Sequence, residues 1–109
     1  PVVALAGDGG WLFTVAEMAA AHDLASNLVL LVWDNRGYAQ IRQSFDDVDA
    51  VRMGVDVSSH DPAAIARGFG WSARTVDNAD DLGPALRGAL AAAAGGAGPQ
   101  FLHLVPSRA

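Results

Sequence analysis

Two short stretches of the chain are apolar at every position, Val2-Val3-Ala4-Leu5-Ala6 and Leu28-Val29-Leu30-Leu31-Val32-Trp33. Short runs without alternation suit strands of a parallel sheet that is covered on both faces. Trp11 to Ala25, between them, reads as a helix of a length suited to a right-handed crossover, so the chain begins as a strand-helix-strand unit. Tyr38 to Phe45 predicts a short helix, and Asp46 to His60, acidic and irregular with a weak break at Met53-Gly54-Val55, predicts a loop. Asp61-Pro62 places an N-cap and a first-turn proline ahead of a helix over Ala63 to Gly68, closed by Gly68 and Gly70. Trp71 to Val76 alternates well enough for a third strand. Asp80 to Ala94 is an alanine-rich helix, Gly95-Gly96-Ala97-Gly98-Pro99 breaks it, and Gln100 to Val105 forms the last strand before Pro106 and a short polar tail. Strands alternating with helices predict an α/β fold: a doubly wound, mostly parallel sheet with helices on both faces.

Composition narrows the function. A chain of 109 residues, 51% of them hydrophobic, is expected to make one globular domain. The formal charge of −5, with no lysine and the arginines scattered singly, argues against a nucleic-acid surface and against a polybasic membrane patch. Cysteine is absent, so neither disulfides nor thiolate metal sites are available, which is compatible with a cytoplasmic protein. No signal peptide is visible, and no apolar run approaches the roughly 20 residues of a membrane helix. A soluble protein is expected.

The polar punctuation after the two apolar runs carries the candidate chemistry. Gly7-Asp8-Gly9-Gly10 follows the first, and Asp34-Asn35-Arg36-Gly37-Tyr38 follows the second. Mg²⁺ takes hard oxygen ligands in near-octahedral array, often sharing them with phosphates it escorts. Asp8 offers a carboxylate and Asn35 an amide oxygen. Gly9 and Gly10 leave the backbone bare enough for its amides to approach diphosphate oxygens, with the positive end of the next helix aimed the same way. In a parallel sheet both segments emerge at the carboxyl ends of their strands, the edge where open α/β sheets bind ligands. Taken singly, Gly-Asp-Gly is a common turn in which Asp8 caps the helix, and Asp34-Asn35-Arg36-Gly37 an ordinary strand exit. Their joint occurrence favours half of a metal-diphosphate site.

Gly7-Asp8-Gly9, the gap from Gly10 to Trp33, and then Asn35 with Gly37-Tyr38 resemble the signature of thiamine-diphosphate-dependent enzymes, nearest to the group of acetolactate synthase, benzoylformate decarboxylase and pyruvate decarboxylase. Glu17-Met18-Ala19-Ala20-Ala21, Ile41-Arg42-Gln43 and the final strand are similar to the same family's last segment, so the likeness runs over the whole chain. Asp34, where a second Asn is common, and Ala39, where Gly often follows the tyrosine, depart from the pattern without touching a ligand side chain. The resemblance implies thiamine diphosphate and Mg²⁺ as cofactors, with the metal held by Asp8, Asn35 and the Gly37 main-chain carbonyl, two diphosphate oxygens and a water. It also implies that residues 1–109 are the C-terminal part of the diphosphate-binding domain of a larger enzyme. The first part of that domain, a pyrimidine-binding domain and often a central domain would lie outside this chain. The activity implied is that of a 2-oxo acid decarboxylase or an acetolactate-synthase-like carboligase, homodimeric or homotetrameric, and by itself the 109-residue unit would be inactive.

The remaining candidates read as structural. His22 follows Trp11, Val15 and Met18 at helical spacing, on or beside a packed stripe. His60 is expected in a solvent-facing loop and His103 in or beside the core. Glu17, the sole glutamate, is not the activating carboxylate, which in the resembled family comes from the pyrimidine-binding domain of a neighbouring subunit. Tyr38 is the residue next most expected near the diphosphate after the ligands, a packing role being its alternative. The three tryptophans read as core or interface anchors. Of other functions, a non-catalytic phosphate-binding or interaction module of the same fold is the main alternative. A phosphohydrolase is weaker, since Gly10 stands where a second catalytic acid would follow Asp8.

Overall fold

A computed structural model describes residues 1–35, 46–48 and 60–106. The helix expected over Tyr38 to Phe45, most of the loop after it, and Gly37 and Tyr38 themselves lie outside the described residues. The elements in chain order are β1 (Val2–Gly7), α1 (Asp8–Leu12), a 3-10 turn (Val15–Glu17), α2 (Met18–Asp23), β2 (Leu28–Trp33), α3 (Pro62–Gly68), β3 (Ser72–Val76), α4 (Ala79–Ala94) and β4 (Gln100–Leu104). The four strands make one sheet in the order β1-β2-β4-β3, parallel throughout. That is the α/β architecture the alternation of runs predicts.

Successive side chains of a strand point to opposite faces, and each face here has its own core. Val29, Leu31, Leu102, Leu104 and Val76 meet the small residues Ala85, Ala89 and Ala93 of α4, which let the helix lie close. Val32 and Phe101 point the other way, onto Trp11, Met18, Ala66 and Trp71. Phe101 is its hub. The ring of Trp11 is tilted against it at 5.3 Å between centroids, and Trp71 meets it edge-on at 6.4 Å, the arrangements aromatic quadrupoles favour. Both indoles also find partners for their N–H groups, Trp71 Nε1 donating to the Met18 carbonyl (2.8 Å) and Trp11 Nε1 to Met18 Sδ (3.3 Å).

Local signals set most boundaries. Asp61 caps α3 with Oδ1 accepting from the amides of Ala63 and Ala64, and Pro62 occupies its first turn. Asn78 caps α4 in the same manner, through the Asp80 amide. Three helices end in Schellman motifs, in which paired 6→1 and 5→2 bonds satisfy the last carbonyls through a left-handed residue. Gly70 and Gly96 fill that position after α3 and α4, but after α2 it is Ala25, with φ of 48°.

Two expectations are corrected. The helix predicted over Trp11 to Ala25 starts earlier, at Asp8, and is broken: Phe13 and Thr14 close i→i+3 bonds to Gly10 and Trp11, and Thr14 (φ −125°, ψ 17°) leaves helical geometry before the 3-10 turn. The adjacent β-branched Thr14 and Val15 disfavour the helical turn, and Trp11 and Met18 both pack on Phe101's side of the sheet across the break. Second, β1 is not covered on both faces. It is, among the described residues, an edge strand paired only to β2, and Val2, Val3 and Leu5 are exposed. Among the described residues α4 packs mainly over β2, β4 and β3, and Val3 and Leu5 of β1 stay exposed.

Candidate functional site

β1 passes into α1 with no linker. Gly7 is the N-cap in extended geometry, and Asp8 is the first helical residue. At this junction Asp8 is only 2% exposed. Gly9 is buried as well, whereas Gly10 is exposed, and a Cβ added at Gly7 or Gly10 would meet nothing within 4 Å. The backbone at these two glycines therefore faces open space wide enough for a ligand's oxygens. α1 is five residues long, so the attraction for an anion resides in the few unbonded amides of its first turn rather than in a long summed dipole.

The second segment sits alongside. β1 and β2 are in parallel register through Gly7 opposite Trp33, which places Asp8 and Asp34 at the same level as the strands end, with Asn35 one residue farther. Asp34 is buried, at 5% exposure, and Asn35 is half-buried. The Asp34 amide donates to the Leu104 carbonyl at 2.8 Å, extending the β2–β4 ladder one residue past the strand. The two predicted ligand segments are thus brought together at one sheet edge. Gly37 and Tyr38 are outside the described residues, so the main-chain carbonyl and the ring assigned to them remain expectations.

Among the described residues no three His, Cys, Asp or Glu side chains cluster as a metal site. A buried carboxylate and an amide on the neighbouring strand exit are the hard-oxygen donors Mg²⁺ prefers. The donor set fits that ion.

The sequence did not reveal the partner of Asp34. Its Oδ2 lies 2.7 Å from His103 Nε2, and His103 Nδ1 lies 3.2 Å from Thr75 Oγ1, so the ends of β2, β4 and β3 are tied by side chains. A carboxylate only accepts, so Nε2 carries the hydrogen, and in the neutral ring Nδ1 then accepts from the Thr75 hydroxyl. The one available signal was a pair of polar residues, Asp34 and His103, in otherwise apolar strand contexts. His103 is buried, as expected.

The other candidates are placed as follows. His22 is exposed but its ring lies against Gly70, where an added Cβ would come within 2.6 Å of it. This is a packing contact. His60, directly before the Asp61 cap, is half-buried rather than solvent-facing. Glu17 is exposed on the 3-10 turn. Trp11 and Trp71 are core anchors, while Trp33 is 47% exposed and lines, with Val76, Leu82, Leu104 and Pro106, a groove of about 200 Å³ on the α4 side of the same sheet edge.

Comparison with known proteins identifies the family of the chain. A family model described as thiamine pyrophosphate enzyme, C-terminal TPP binding domain, matches residues 1–104. The chain is 38% identical over 88 residues to the probable 2-ketoarginine decarboxylase AruI of Pseudomonas aeruginosa, and 30% identical over 89 residues to the catabolic acetolactate synthase of Raoultella terrigena. These alignments cover 80% and 82% of the chain but 16% of each relative, so the chain spans a small part of the curated relatives' length. Among solved structures, benzoylformate decarboxylase from Polynucleobacter necessarius superposes with a TM-score of 0.85 at 22% identity, over 98% of this chain and 20% of that one. At that identity the likeness establishes the fold.

Proposed function

Because the chain belongs to the thiamine pyrophosphate enzymes, as their C-terminal TPP binding domain, we propose that its β1–α1 and β2 ends hold the Mg²⁺-diphosphate of the cofactor. The observation that carries the reading is the buried Asp8 carboxylate at the start of α1, level in register with the Asp34-Asn35 exit of the neighbouring strand. In this reading Asp8, the Asn35 side-chain oxygen and the Gly37 carbonyl bind the metal. The amides of Gly7, Gly9 and Gly10 face the diphosphate, and Tyr38 lies beside it.

Each residue then has a defined task. Asp8 neutralises charge from a site nearly closed to water, where Coulombic attraction is stronger than at the surface. Asn35 adds an oxygen without adding charge, so the metal keeps enough positive charge to hold a diphosphate. The bare glycines let main-chain donors approach where a side chain would intrude. When bound, thiamine diphosphate supplies the carbon nucleophile through which a 2-oxo acid loses carbon dioxide. This chain anchors and orients it, and a carboxylate elsewhere in the enzyme acts on the aminopyrimidine, Glu17 being exposed and on another element.

Residues 1–109 are on this account the C-terminal part of the diphosphate-binding domain in a homodimeric or homotetrameric cytoplasmic enzyme. It is a 2-oxo acid decarboxylase or an acetolactate-synthase-like carboligase. The test is a panel of 2-oxo acids offered to the full-length protein with thiamine diphosphate and Mg²⁺, reading carbon dioxide release. Turnover that disappears in Asp8→Ala is the expected result. Normal cofactor binding with no turnover on any 2-oxo acid would leave a non-catalytic binding module instead.

A further inference from the structure

The Asp34–His103–Thr75 chain, buried at Asp34 and His103, joins the ends of three adjacent strands on one face of the sheet. Val32 and Thr75 both stand opposite His103 in register, and Asp34 lies two residues beyond Val32, so all three side chains project on the same side. Burying such groups costs stability unless they are bonded, and the corresponding level of the α4 face is closed by apolar Leu104 and Val76. What the polar version adds is direction. Asp34 is fixed to β4 twice, by its amide on the Leu104 carbonyl and by its carboxylate on the His103 ring, and Asn35 is the next residue.

We propose that His103 is a positioning residue for the metal site: through Asp34 it sets where Asn35 leaves the sheet, and so tunes affinity for the divalent cation. The inference rests on Asn35 being a metal ligand. Outer partners that orient metal ligands typically change metal affinity 10- to 100-fold when removed. Thr75, which is exposed, holds the far side of the ring.

The experiment is a titration of the full-length protein, in the presence of thiamine diphosphate, with Mn²⁺ as an octahedral oxygen-seeking probe, free ion being read by electron paramagnetic resonance. His103→Leu is expected to weaken Mn²⁺ binding about tenfold. His103→Gln, whose amide nitrogen can stand where Nε2 stood, is expected to recover most of that loss. Asp34→Ala should match His103→Leu, and the double variant should lose no more than either, since the two act as one unit. Unchanged Mn²⁺ affinity in His103→Leu, alongside its loss in Asp8→Ala, overturns the positioning role and leaves the metal site standing. Normal Mn²⁺ binding by Asp8→Ala overturns the metal site and this proposal with it. A loss that His103→Gln does not recover, paralleled by a fall in Tm, marks a purely structural role and also overturns it. Should His103→Leu fail to fold, Thr75→Val takes its place, with about twofold weaker binding expected from a more remote partner and no change counting against the proposal.

Discussion

Phe101 in β4 is fully buried, whereas Leu5 in β1, as apolar a residue in as apolar a run, is 72% exposed. The difference comes from position in the sheet. β4 lies between β2 and β3 with α4 on one face and the aromatic cluster on the other, and every residue of it is buried. Among the described residues β1 pairs with β2 alone, and its odd-numbered face leaves Val3 and Leu5 exposed. Yet the residue that directly follows β1 is Asp8, among the most buried polar groups described. One strand holds the fold together along its length, and the other matters most at its tip.

Truncations break this comparison most forcefully at the centre. Phe101→Ala removes the ring that Trp11 and Trp71 both contact, and is expected to lower the stability of the chain by about 3–5 kcal/mol, read as a shift in urea midpoint. A loss under about 1 kcal/mol would mean that β4 is not the core strand described. Next in size is Asp61→Ala, which unbonds the first amides of the helix lying over β3 and β4, for an expected loss of about 1 kcal/mol. Ala25→Gly should act in the opposite sense. It relieves an L-residue held at φ of 48° in the turn below β2, and a gain of about 1 kcal/mol in the same urea assay is expected. The smallest effect belongs to the edge: Leu5→Ala is expected to change stability by no more than about 0.5 kcal/mol. Should the same substitution cost several times that in a longer form of the protein, β1 has a cover there.

Where the sequence was readable, the signals were local. The Asp61-Pro62 start of α3, the glycine-rich stop after α4 and the extended runs of β2 and β4 each depend on a few neighbouring residues, and each is found within a residue or two of its expected place. That the Asp8 and Asn35 segments leave the same side of the sheet was readable too, because parallel strands all end on one side; that they are neighbours follows from the β1–β2 pairing. Three things were not. An apolar run says that a strand will form, but not whether it will be an edge, so the exposure of Leu5 was invisible. The helical spacing of Trp11, Val15 and Met18 persisted through the Thr14 break and concealed it. The Asp34–His103 pair spans residues 69 apart in sequence, and only the fold brings them within bonding distance.

The account stands most directly on the Asp8 carboxylate. Calorimetric titration of thiamine diphosphate in the presence of Mg²⁺, comparing the full-length protein with its Asp8→Ala variant, should show affinity falling by more than about 100-fold, since a direct metal ligand is lost rather than an outer partner. Binding of the cofactor to Asp8→Ala with undiminished affinity would contradict it.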